Sequence, residues 1–189
     1  MAQQVAAGDV RIRTRLSSGV ISREGSMKYQ YRVTKYDPAN RNELGHYTKN
    51  EWTAFCDIGK EFADGVLTSE EYEKVESRYI EAIFSFMACM QLDSLQLSTV
   101  WNGYKYKESG LQLKNGAAYS GEKLKRVIQL TLREKIGCHL VSESSMFVHF
   151  GYDYYMCIGT TNDCISAVER VRNNGMFSED FGSPYGASE

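Results

Sequence analysis

Between Cys138 and Ile158 the chain carries three β-type runs with only turn residues between them. Cys138–Glu143 and Met146–Phe150 are separated by the turn-like stretch 142–145. Gly151-Tyr152-Asp153 then leads into Tyr154–Ile158, and Gly159 closes the run. Loops this short cannot carry a chain back across a sheet, so neighbouring runs must pair antiparallel as hairpins. That argues against a doubly wound parallel sheet and, with helical segments elsewhere, predicts an α+β fold.

The strongest helix pattern covers residues 69–90. Thr68 stands at the N-cap with Glu71 three residues on, the spacing of a capping box. Tyr72, Val75, Tyr79, Ile80, Ile83, Phe84, Met87 and Met90 recur at helical spacing as one apolar stripe. A second helix is expected over residues 121–135, capped by Ser120, with Leu124, Val127, Ile128 and Leu132 inward and Gly137 near its stop. A third runs from a cap at Thr161 or Asn162 to Asn173, with Cys164, Ile165, Val168 and Val171 on its apolar face. Thr48 and Glu51 suggest a further short helix reaching Asp57, with Trp52, Phe55, Cys56 and Ile58 as its stripe.

Period-two alternation marks strands at residues 28–36 and 94–101, and 177–185 reads as extended. Residues 110–114 are a further candidate strand within the polar stretch 102–119. The expected architecture is one domain over residues 27–185, a mostly antiparallel sheet packed against three to four helices. Residues 1–26 read as a flexible basic arm and 186–189 as a tail.

The charge is −2 over 189 residues. Arg11, Arg13, Arg15 and Arg23 against Asp9 and Glu24 give the arm +2, which leaves −4 for the rest. A mildly acidic body suits a basic partner better than a phosphate backbone, so nucleic acid is not the expected ligand. Five cysteines without a C-x-x-C read as reduced core thiols of a cytoplasmic protein. No run of 18 apolar residues and no apolar leader segment occurs, so neither a membrane span nor a signal peptide is expected.

The sequence carries no phosphate-binding glycine loop, nucleophile elbow or H-E-x-x-H. His139 and His149, ten apart on neighbouring strands, could meet Cys138 or Cys157 around a metal, and Cys157 with His149 could form a nucleophile pair. The plainer reading, buried thiols and ordinary strand histidines, is preferred. Glu70/Glu71 and Glu179/Asp180 sit where capping or exposed acids sit. Tyr104-Lys105-Tyr106-Lys107 interleaves aromatic and basic groups, as single-strand RNA binders do, or is an amphipathic edge strand. No catalytic residue, cofactor or metal is expected.

Four stretches together resemble one family: 35–38 with 50–53 and 57–59; Glu71-Tyr72 leading to Val75-Glu76; 147–156; and 181–185. The pattern, over residues 27–185, is similar to small bacterial immunity proteins, the cognate inhibitors of contact-dependent and other polymorphic toxins. The resemblance implies a cytoplasmic, non-enzymatic protein that binds one toxin domain, such as a basic nuclease, and blocks it. Exposed aromatics beside acids are good anchors for such a partner, which makes Trp52, Asp57, Tyr152, Asp153 and Tyr155 the candidate contacts. Two alternatives remain open: an RNA-binding accessory protein using the arm and residues 104–107, or an enzyme with an unrecognised site.

Overall fold

The computed structural model describes residues 27–143 and 145–185. The expected arm and tail lie outside them. The strands are β1 (Tyr29–Thr34), β2 (Glu61–Phe62), β3 (Gly65–Val66), β4 (Leu95–Trp101), β5 (Ala118–Tyr119), β6 (Gly137–Ser142), β7 (Met146–Phe150), β8 (Tyr155–Thr160) and β9 (Phe177–Asp180). Seven of them form one antiparallel sheet in the order β5-β4-β6-β7-β8-β1-β9, while β2 and β3 pair separately. With helices α1 (Ser69–Cys89), α2 (Gly121–Leu132) and α3 (Ile165–Asn173), the class is α+β.

Alternation divides the central strands between two faces. Leu140, Met146, Val148, Met156 and Ile158 join Tyr79, Ile83, Leu124, Val127 and Val168 of the helices in the main core. Each such side chain contributes about 1.5–3 kcal/mol by burial. Gly137, His139, Phe147, His149 and Cys157 fall on the opposite face. There Met27, Phe147 and Cys157 make a second, small cluster. The segment after β9 lies across this face, held by Ser183 N–H donating to Gln30 Oε1 (2.8 Å) and by Ser183 Oγ against His149 Nδ1 (2.8 Å).

α1 starts at the expected capping box, with Glu71 N–H donating to Thr68 Oγ1 and Thr68 N–H to the Glu71 carboxylate, both at 3.1 Å. Glu76 sits in its buried stripe at 2% exposure. It is tolerated there because Arg133 Nε and Nη2 each donate to it at 2.7 Å, tying α1 to the end of α2.

Several expectations are corrected. Residues 48–57 are not a helix; only a 3-10 turn, Phe55–Asp57, forms. Asp57 turns back to accept from the N–H groups of Thr53 (2.9 Å) and Ala54 (3.0 Å), which closes a tight turn instead. The strand after residue 102 is not 110–114 but β5, where Tyr119 pairs with Leu95. Residues 104–107 do not form an edge strand: Gly103–Lys105 is a 3-10 turn. α2 ends before Gly137 requires it to, because Glu134 takes the left-handed position (φ 56) and its N–H returns to Thr131 O.

α3 begins at Ile165 rather than at a Thr161 or Asn162 cap, and Ile165 is exposed while Ala167, Val168 and Val171 are buried. Cys164, the N-cap, is bonded to Cys89 at the end of α1 in a disulfide with a Cα–Cα distance of 5.9 Å. The reading of five reduced thiols therefore fails for two of them; Cys56, Cys138 and Cys157 are free. Glu179 is not simply exposed: Arg32 (3.1 Å) and Arg41 (2.6 Å) clamp it, and their hydrogen bonds and charge hold its carboxyl down at about 2.

Candidate functional site

The ends of β4, β6, β7 and β8 and the C-terminal end of α2 meet at one edge of the molecule. They enclose a cleft of about 320 Å³. Its walls include Trp101, Ile136, His139, Tyr152, Tyr154, Tyr155 and Tyr185, with Glu134 and Asp153 as the charged groups. Among the described residues, neither Lys nor Arg lines it.

A β-bulge builds the Trp101 wall. The β4–β6 register runs Leu97↔Leu140 and Ser98↔His139, then shifts so that Trp101 faces Gly137. Thr99, at φ 51, absorbs the extra residue. Strict alternation would have put Trp101 on the core side with Leu95 and Leu97. The bulge reverses it onto the outer face, beside His139 at a ring separation of 6.1 Å. The indole stays 48% exposed.

The opposite wall is the β7–β8 loop. Asp153 (φ 55) and Tyr154 (φ 61) both adopt the left-handed region. This reversal buries Tyr154 and throws Tyr152 outward at 86% exposure. Tyr154 is locked in place: its hydroxyl donates to Leu132 O (3.0 Å) and meets the Tyr72 hydroxyl (2.5 Å), while Tyr79 donates to Tyr154 O (2.6 Å). Seven non-glycine residues among those described have positive φ. Four of them, Asn102, Glu134, Asp153 and Tyr154, line this cleft. Backbone held in costly conformations clusters where a fold must present particular side chains, at about 1–3 kcal/mol for a residue such as Tyr154 and less for Asn102 and Asp153.

Of the five residues singled out in the sequence, Tyr152, Asp153 and Tyr155 line the cleft together. Trp52 stands behind it, edge-on to Tyr154 (5.1 Å) and tilted against Tyr72 (5.6 Å), with the Lys35 ammonium over its ring (4.2 Å). Asp57 is buried and bound within its own turn, with Lys60 Nζ at 2.7 Å. The stretches that carry the family resemblance converge here: Tyr36 donates to Trp52 O (3.1 Å), Tyr72 and Tyr154 flank Trp52, and Tyr185 lines the cleft. Trp101, Glu134, His139 and Tyr185 were not among the candidate partner contacts. Tyr185 had a signal in its place in a resembling stretch, and His139 in its strand position opposite His149, read there as a metal-ligand candidate.

The histidines do meet, with ring centroids 4.3 Å apart. Cys138, however, points to the helix side, where its sulfur lies 3.4 Å from Thr131 Oγ1. No group of three or more His, Cys, Asp or Glu that could hold a metal occurs among the described residues. His149 is fully buried and stacked on Phe147 (4.1 Å). Burial, then the neighbouring His139, push it down to about 3, so it is neutral and a weak base. Burial pushes the facing Cys157 thiol up. Both shifts oppose the thiolate–imidazolium state that a cysteine nucleophile needs. Tyr104 and Lys105 of the basic-aromatic stretch are exposed on a turn away from the cleft. Tyr106 instead turns towards Glu108 (3.2 Å) and Arg126 (3.3 Å).

Comparison of the chain with protein-family models, curated proteins and solved structures returned no match. No helix of the described residues is long and apolar enough to cross a membrane.

Proposed function

We propose that this chain is a non-enzymatic protein-binding inhibitor, an immunity protein that neutralises a cognate toxin domain by seating part of it in the cleft between Trp101 and Tyr152. One observation carries the reading: strained backbone is concentrated around a concavity whose rim presents exposed aromatic rings. Tyr and Trp bury large area on few rotatable bonds, and such anchors dominate protein interfaces. The family resemblance supplies the word immunity, and the acidic balance outside the arm suits a basic toxin domain. Action in the cytoplasm is proposed from that resemblance alone, since a disulfide favours oxidising surroundings.

The test is capture of the tagged chain from its native host in high salt, followed by co-expression with whatever partner is found. The expected result is one stoichiometric protein whose toxicity the chain suppresses, and whose binding is lost with Trp101→Ala and Tyr152→Ala. Capture of salt-labile RNA alone, or a partner indifferent to both substitutions, would overturn the proposal.

A further inference from the structure

The cleft has the chemistry of a receptor for one kind of side chain. Its walls are aromatic, with Trp101, Tyr152, Tyr154, Tyr155 and Tyr185 around the space. Among the described residues, its formally charged lining groups are the carboxylates Glu134 and Asp153, both on the exposed rim. Thr131, Leu132 and Glu134 bring in the C-terminal end of α2, the negative end of its helix dipole.

No cationic side chain of the described residues competes for this field from inside. His139 lines the cleft but burial lowers its pKa, which favours the neutral ring. Arg133 and Lys135 flank Glu134 in sequence yet turn elsewhere. Arg133 is bound to Glu76, and Lys135 lies 5.5 Å from the Phe55 ring centroid. Aromatic faces, two carboxylates and a helix C-terminus together favour a cation that is also flat and weakly hydrated. A volume of about 320 Å³ has room for a long side chain.

We infer that the cleft binds an arginine side chain presented by the partner, its guanidinium packed between the Trp101 and Tyr152 walls and facing Glu134 and Asp153. This deepens the proposed inhibitor function and rests on it only for the source of the arginine. A toxin that acts on phosphate-bearing substrates would expose such a residue, and covering it would block substrate as well as anchor the complex.

The probe is N-acetyl-arginine amide, titrated into the full chain and followed by NMR, with N-acetyl-norleucine amide as the uncharged control of similar reach. The chain has two tryptophans, so two indole N–H signals are read. The arginine probe should move the Trp101 signal and leave Trp52 nearly still. Norleucine should bind at least about fivefold more weakly, as should arginine to Glu134→Gln with Asp153→Asn. Both substitutions are conservative and lie on the exposed rim, and asparagine accepts the left-handed backbone of position 153. An unchanged amide spectrum verifies the fold. Equal binding of norleucine, or arginine binding indifferent to the two substitutions, overturns the inference. If arginine binds but no protein partner exists, the inhibitor reading falls and the site stands. If a partner binds Glu134→Gln with Asp153→Asn as tightly as the wild type, the site falls and the inhibitor reading stands.

Discussion

Trp101 lies so close over Gly137 that a Cβ at position 137 would come within 1.7 Å of the indole ring. Gly159 stands in the same relation to Phe147, at 2.2 Å. The two pairs separate function from stability. Trp101 is half exposed and can swing out, so Gly137→Ala should cost about 1 kcal/mol while dismantling one wall of the cleft. Phe147 is buried and cannot, so Gly159→Ala should cost about 2–3 kcal/mol and spare binding. Chemical denaturation of both variants, alongside arginine-probe titration, checks the crossover. Loss of binding in Gly159→Ala with none in Gly137→Ala would place the site elsewhere.

Glu134 occupies a left-handed position where helices ordinarily carry glycine. Glu134→Gly should therefore stabilise the chain by up to about 1 kcal/mol. The same change should weaken the arginine probe, because it deletes one of two carboxylates. Stability and binding moving in opposite directions is the signature expected of a residue kept for its charge. A substitution that destabilises the chain and leaves binding intact contradicts that role.

The Cys89–Cys164 bond closes 75 residues of sequence and joins the end of α1 to the start of α3. Denatured but unreduced chain should show three reactive thiols, and five after reduction; in the folded state only exposed Cys56 should react quickly. Replacing both bonded cysteines with serine should cost about 2–5 kcal/mol. Alkylation of the thiols at the moment of lysis tells which form exists in the host. Five alkylated thiols there would mean that the bond does not form where the protein acts.

Glu179 supplies a pH dependence with a definite sign. Its folded pKa is held down at about 2 by Arg41 and Arg32, below its ordinary value of 4.5. Stability from this clamp is complete above pH 4.5 and is lost as pH falls towards 2. The carboxylate is a quarter exposed, so solvent screening limits the contribution to about 1–2 kcal/mol. Glu179→Gln should lose that amount at pH 7 and converge with the wild type near pH 2, measured by denaturation across the range. A gap that persists unchanged at pH 2 would mean that packing of the side chain, not its charge, is responsible.

The hairpin ladder of β6, β7 and β8, and the capping box of α1, were legible in the sequence because short loops and local spacing determine them. Tyr152 and Asp153 were legible for the same reason: a turn between two apolar runs must face water. Trp101 was not, since its outward direction depends on a one-residue bulge against β6, forty residues on. Residues 48–57 misled because Thr48 and Glu51 mimic a cap, whereas Asp57 competes for the backbone locally. The disulfide was hidden because its two cysteines are brought together only when α1 and α3 pack. Glu134 was passed over since nothing local distinguishes a left-handed glutamate from a helical one.

The central claim is that a protein partner is gripped at the cleft, and the most direct measurement is calorimetric titration of the captured partner into wild type, Tyr152→Ala and Gly159→Ala. Tyr152 is 86% exposed in the free chain, so its truncation leaves the fold's own packing intact. The account predicts at least about 30-fold weaker binding for Tyr152→Ala, the loss of an interface anchor worth about 2 kcal/mol, with Gly159→Ala close to wild type. Equal affinity for wild type and Tyr152→Ala would contradict it.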